Sequence, residues 1–311
     1  MTRQPPSRWL PSYLLMVLLW GSSFAFIKLA LVVFTPFGVG ALRTIIGAVT
    51  LVVALLATRT SFPPRRLWPF LLVNILLAGT IPWAMTAFGE LQLSSALTAI
   101  VGSTGPLFTL VAVLIAFPEE RPTAQRMVGL GLGFVGVIVV VGPWRGIGSA
   151  VWIGVAAVLL ANMIWGWSGP FARRYLTGGI KAGNVEPLAL AAGMFVMGSV
   201  AVLPVAAVVP VAHAEISAAG VVGVLVLGIF SSGIATTMNL RVIGRADATT
   251  ASTALYIAPL VAVLVGTTFL GESLSWNEPV GGVVILAGAA LAQGLIRFGD
   301  RSRPLQPDDV V

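Results

Sequence analysis

The side chains able to do chemistry in this chain are few, and their kinds point to binding rather than to bond-making. Cysteine is absent, which removes thiol nucleophiles, thiolate metal sites, disulfides and iron–sulfur clusters together. His213 is the single histidine and falls near Glu215 in a short loop, so no metal site is expected. The eleven acidic residues are Glu90, Glu119, Glu120, Glu186, Glu215, Asp247, Glu272, Glu278, Asp300, Asp308 and Asp309, and each falls in a loop or at the end of an apolar run. Serines are plentiful but have no base at their depth, so neither a catalytic residue nor an enzyme is expected. With no carboxylate in mid-span to carry a proton, the expectation is facilitated diffusion of a solute down its own gradient.

Binding groups are easier to find. Trp20, Trp83, Trp165 with its neighbour Trp167, and Tyr256 lie deep inside apolar runs, where an indole or phenol needs a partner that a wet cavity supplies. Asn162 and Asn239 are the deepest amides of their runs. With Ser103 they complete an expected substrate-binding wall of Trp20, Trp83, Ser103, Asn162, Trp165, Asn239 and Tyr256, suited to an uncharged or zwitterionic solute. Ordinary packing and interhelical hydrogen bonding is the competing reading. Pro106 and Pro259 each remove an amide donor and free the carbonyls of Gly102 and Leu255, which marks these four residues as a pair of hinges or of static kinks. Pro82 repeats the logic without a partner. Lys28 and Arg43 are cations inside apolar runs; they either snorkel or offer an anion contact near the outer mouth.

Those residues must be positioned by membrane-spanning helices. Of 311 residues, 57% are hydrophobic and 9% charged, a balance that belongs to an integral membrane protein. Apolar length and helix breakers give ten expected spans, 10–33, 37–57, 67–88, 95–117, 127–142, 150–171, 187–210, 217–240, 248–270 and 279–296. The net charge of +7 resides in the short loops, where it sets orientation, and nucleic acid is excluded as a partner. With the N terminus in the cytoplasm, 15 of the 18 lysines and arginines fall on that side, and both termini are placed there. Trp9, Trp68, Trp144, Trp152 and Trp276, at span ends, are expected to form the interfacial belt.

The chain also repeats itself. Pro106 and Pro259, Glu119 and Glu272, and Gly129 and Gly282 are all separated by 153 positions, which divides the protein into halves 1–148 and 149–311. Five spans is an odd number, so the second half enters the bilayer from the opposite side and the repeats are inverted. The segment Trp20-Gly21-Ser22-Ser23-Phe24 is echoed by Trp165-Gly166-Trp167-Ser168-Gly169. Glu119 and Glu272 are expected to pin loop amides or the start of the following helix. Gly129, Gly131, Gly133 and Gly136, with Gly281, Gly282 and Gly288, allow close helix approach within the fold or between protomers.

Together, Trp20-Gly21, Lys28, Arg43, Pro106 with Glu119, Trp165-Gly166 and Pro259 with Gly271-Glu272 resemble the EamA-type transporters of the drug/metabolite transporter superfamily. Within it, the length and the Trp-rich helices look most like the YddG-type exporters of aromatic and other amino acids. The resemblance implies an all-α fold of ten transmembrane helices in two inverted five-helix repeats around a central cavity, set in a bacterial inner membrane. It further implies alternating-access export of amino acids or other metabolites. An efflux carrier for lipophilic cations and a small-solute channel are the alternatives. No cofactor is expected, the partners are a small-molecule substrate and the lipid bilayer, and a monomer is favoured. The second half lacks a counterpart of Arg43, so that residue's role is not expected to be symmetric.

Overall fold

A bilayer core offers the backbone no water, so a chain this apolar has to satisfy its amides within helices. The computed structural model describes residues 9–119, 123–145, 148–177, 185–213, 215–245, 251, 253–292 and 294–295. Eight helices among them are long and apolar enough to cross a membrane: α1 (Leu10–Leu31), α2 (Pro36–Ala57), α3 (Arg65–Glu90), α4 (Ser95–Ala116), α5 (Ala124–Val141), α6 (Ser149–Leu176), α7 (Pro187–Ala206) and α8 (Ala218–Val242). Two shorter apolar helices follow, α9 (Ala254–Phe269) and α10 (Asn277–Ala292). The tail beyond Leu295 and the expected start of the ninth span at 248 lie outside the described residues.

Prolines at the first turn and hydroxyl caps set several starts. Thr35 caps α2 by accepting from Gly38 N, and Ser94 caps α4 by accepting from Leu97 N. Three helices run past their expected ends: α3 continues to Glu90, α6 to Leu176 and α8 to Val242. Three stretches are wound as π-helix, Leu76–Thr80 in α3, Arg173–Thr177 in α6 and Val226–Ile234 in α8. Large side chains face outward along stripes such as Val49, Val53 and Leu56 on α2, each at least 60% exposed, which is the surface expected of a wall against lipid.

The packing has a regular pattern. α5 lies on α10, α2 on α7 and α4 on α9. Three further pairs of contacts match, α1 on α9 with α6 on α4, α3 on α6 with α8 on α1, and α2 on α8 with α7 on α3, whereas α2 packs on α3 more extensively than α7 does on α8. At the α5–α10 seam the backbones touch: a Cβ on Gly288 would lie 2.5 Å from Gly133 N, and one on Gly129 would lie 2.6 Å from Gly288 O. Small residues at such a seam allow this close approach. Gly131 has open space beside it, so the seam uses Gly129, Gly133 and Gly136 on one side and Gly281 and Gly288 on the other.

Glu272 is a pin, but not for the helix that follows it. Its carboxylate accepts from Ser95 N at 2.8 Å, Ser95 Oγ at 2.9 Å and Ala96 N at 3.0 Å, capping the start of α4 in the other half of the sequence. Gly271, with φ +66°, reverses the chain after α9 and lets this carboxylate fold back. Space for it exists because residue 266 is glycine: a Cβ there would lie 2.5 Å from Glu272 Oε2. By the 153-residue offset, the counterparts of Ser95 and Ala96 for Glu119 are residues 248 and 249, which lie outside the described residues. Replacing Glu272 by glutamine is expected to cost roughly 1–3 kcal/mol, the range for a charge-assisted hydrogen bond lost from a part-buried cap. Gly266→Ala should cost a similar amount, and thermal unfolding in detergent would measure both.

Candidate functional site

Irregular backbone in a membrane protein is tolerated where it borders a cavity or another part of the chain. The breaks in α3, α4 and α8 converge on one central cavity of about 340 Å³. In α4 the helix stops at Gly102, turns through Ser103 and Thr104, and restarts at Gly105 with Pro106 in its first turn. Ser103 N and Thr104 N reach the carbonyls of Ile100 and Val101 at 3.2 and 3.1 Å, and the hydroxyls add to these bonds, Ser103 Oγ donating to Ile100 O at 2.5 Å and Thr104 Oγ1 to Val101 O at 2.8 Å. Gly102, Ser103, Gly105 and Pro106 all reach the cavity wall, as do Leu255, Ala258 and Pro259. At Pro259 the described helix is continuous, with the proline in its second turn.

The π-helical stretches of α3 and α8 border the same cavity through Ala78 and Ser231. A π-turn adds a residue without breaking the helix and releases a carbonyl from regular pairing. Here Ser231 O accepts from Trp20 Nε1 at 3.2 Å, and Ser231 Oγ donates to Leu19 O at 2.9 Å. Two wall positions of α3, Ala78 and Trp83, stand 153 residues before two of α8, Ser231 and Thr236.

Arg43 is the charged group on this wall among the described residues. It does not snorkel. Only 6% of it is exposed, Nε donates to Ser232 Oγ at 2.8 Å, and the guanidinium carbon lies 4.3 Å from the centroid of the Trp83 ring. A planar cation held by one hydrogen bond and an aromatic face keeps further N–H donors for an anion in the cavity. Trp83 in turn packs on Phe195 with ring centroids 5.7 Å apart. Met194, Phe195 and Thr236 also border a second cavity of about 330 Å³, which extends past Asn74 toward Leu176, Pro187 and Leu240.

Five of the expected wall residues therefore meet: Trp20, Trp83, Ser103, Asn162 and Trp165. Asn162 Nδ2 is spent on Val158 O at 2.8 Å, while its Oδ1 lies by Gly105, where a Cβ would come within 3.0 Å of it. Tyr256 and Asn239 are not on the wall. The Tyr256 hydroxyl donates to Ala289 O at 3.3 Å and its ring packs beside Leu107 and Leu110, because Tyr256 sits on the α10 face of α9. Trp167 is 37% exposed and also off the wall. Lys28 is not on it either, and does not snorkel to an open mouth: Nζ donates to the main-chain carbonyl of Glu90.

Glu90 itself requires a correction. It ends a span, as expected, but it is 1% exposed, so the fold does contain a buried acid and the expectation of facilitated diffusion loses its premise. Sequence reading also missed Ser231, Ser232, Phe195 and Thr236. Two adjacent serines deep in an apolar run were the available signal, since buried hydroxyls need partners.

The family comparison matches the EamA-like transporter family twice, over residues 7–142 and 152–293. YedA of Escherichia coli (strain K12), named an uncharacterized inner membrane transporter, is 26% identical over 286 residues, covering 90% of this chain and 89% of its own. A protein of Streptantibioticus cattleyicolor named a probable terminal-alkyne amino-acid exporter is 23% identical over 279 residues, covering 89% and 90%. One crystal structure shares the fold with a TM-score of 0.64 at 20% identity, over 94% of this chain and 98% of that one.

Ser232→Ala would strip the buried Arg43 of its hydrogen bond. A loss of roughly 1.5–3 kcal/mol is expected from thermal unfolding in detergent, against little change for Ser22→Ala, whose hydroxyl reaches only its own helix at 3.4 Å.

Proposed function

The chain belongs to the EamA-like transporter family, and on that premise we propose that it is an alternating-access carrier that exports amino acids, aromatic ones included. The observation that carries this reading is Arg43: a cation held on the wall of a cavity otherwise apolar and aromatic. The solute carboxylate pairs with the guanidinium, and the solute side chain lies among Trp20, Trp83 and Trp165. Its ammonium group finds acceptors in the main-chain carbonyls beside Gly102 and Leu255 and in Asn162 Oδ1. Lipophilic cations suit the site less well, since the described wall offers aromatic faces but no carboxylate.

Transport follows from the halves. The two family matches, the matched helix contacts, and the paired wall positions of α3 and α8 all support two inverted five-helix repeats, 1–148 and 149–311, within a ten-span fold. Pro106 with Gly102, and Pro259 with Leu255, act as the hinges at which the halves of α4 and α9 swing. Arg59 between α2 and α3, with Arg65 and Arg66 at the start of α3, supports a cytoplasmic placement of both termini in an inner membrane. The second cavity then lies on the cytoplasmic side, with Met194 and Phe195 between it and the central one. The amino-acid exporter among the relatives agrees with the substrate class proposed.

Counterflow in liposomes tests this. Vesicles preloaded with unlabelled phenylalanine should accumulate labelled phenylalanine, amino acids should compete, and cationic dyes and sugar phosphates should not. Arg43→Ala should weaken competition by at least about 10-fold, the equivalent of roughly 1.4 kcal/mol for one charged contact. Exchange of dyes but not of amino acids would refute the substrate class. Unsaturable flux without exchange would refute the carrier.

A further inference from the structure

α3 carries a group for which this reading has no use. Pro82, Trp83 and Thr86 line the cavity, and Glu90, one turn beyond Thr86, continues the same helix face. Neither carboxylate oxygen of this buried residue has a hydrogen-bond partner. An ionised carboxylate can accept about four hydrogen bonds, and burying one without them is costly.

The charged groups facing it come from three other elements: Lys28 on α1, Arg43 on α2 and Glu272 after α9. Each of them is engaged elsewhere. Lys28 Nζ bonds the Glu90 main-chain carbonyl, Arg43 bonds Ser232 and lies over Trp83, and the Glu272 oxygens take the start of α4. On α4, Ser95 is bound to Glu272. α6 packs Gly154 and Val158 against this end of α3, at Gly89. Glu90 is thus held by attraction through space to two cations, and one of them, Arg43, also stands on the cavity wall.

Resting on the amino-acid reading above, we propose that Glu90 is a proton-binding site linked through Arg43 to occupancy of the cavity, so that a solute carboxylate arriving at Arg43 is accompanied by proton uptake at Glu90. The solute anion offsets the charge of Arg43. Glu90 then keeps Lys28 as its attracting cation, against the repulsion of Glu272 and of the solute. One proton from bulk water forms an O–H bond with a carboxylate oxygen, the carboxyl group becomes neutral, and no other bond changes. Carriage of the solute is thereby tied to carriage of a proton. Because binding takes up a proton, affinity rises as pH falls.

The test is calorimetry of phenylalanine binding to the purified full-length protein in detergent, in two buffers of different ionisation enthalpy. The expected result is a buffer-dependent heat corresponding to about one proton taken up per solute, and a dissociation constant that falls with decreasing pH. Glu90→Gln, which keeps shape and removes charge, should still bind but lose both dependences, and Glu90→Asp should keep them. Equal heats in the two buffers for the wild type, or persistent proton uptake in Glu90→Gln, would overturn the proposal while leaving the amino-acid reading intact. Failure of the wild type to bind any amino acid would overturn both. If Glu90→Gln does not fold, infrared difference spectra of the wild type and Glu90→Asp decide: a carboxylic-acid carbonyl band gained on binding, and shifted by the aspartate, is expected, and its absence refutes the site.

Discussion

Every departure from regular helix in this protein has to find its hydrogen-bond partners without water from outside, and that constraint orders the structure. The turn at Ser103 and Thr104 is tolerated because two hydroxyls reach back to Ile100 and Val101. The π-helical stretch of α8 is tolerated because Trp20 takes up one of its carbonyls. Both border the central cavity, as does the π-helical stretch of α3. Backbone that lipid could not accept has been gathered where side chains, and a solute with its own donors, can complete it.

The same economy governs charge. Arg43, Glu90 and Glu272 are all withdrawn from water or committed to fixed partners, and they differ in how they are compensated. Glu272 has main-chain amides and a hydroxyl, Arg43 has a hydroxyl and an aromatic face, and Glu90 has no hydrogen-bond partner for its oxygens. A buried ion left partly compensated is costly to stability and therefore a natural place for a functional event. The first two groups hold helices together; the third is poised to change state.

Much of this was legible in the sequence, because apolar length and proline placement act directly on backbone hydrogen bonding. The all-helical, apolar character of the chain, the break at Pro106 and the convergence of Trp20, Trp83 and Trp165 follow from those signals. Tyr256 and Asn239 show the limit: depth in a span can be read from distance to its ends, but the face a side chain occupies depends on neighbours absent from the one-dimensional pattern. Glu90 was hidden for a related reason. An acid that terminates an apolar run looks like a solvated end, and only the packing of α1, α2 and α6 around the last turn of α3 encloses it. The π-helical stretches add to the difficulty, since each added residue rotates the following turns by about 100° and dephases any helical-wheel reading.

The glycine seam between α5 and α10 has one further consequence. Neither helix contributes a residue to the described wall of the central cavity, so this pair stands aside from the solute. Its cohesion comes from backbone contact at the glycines, joined by hydrogen bonds from Gln125 Nε2 to Leu291 O and from Asn277 Nδ2 to Val139 O and Val140 O. The last turn of α3, with its buried acid, is by contrast the place where acidity would act. The molecule has thus separated a joint that must never loosen from a sensor that must respond.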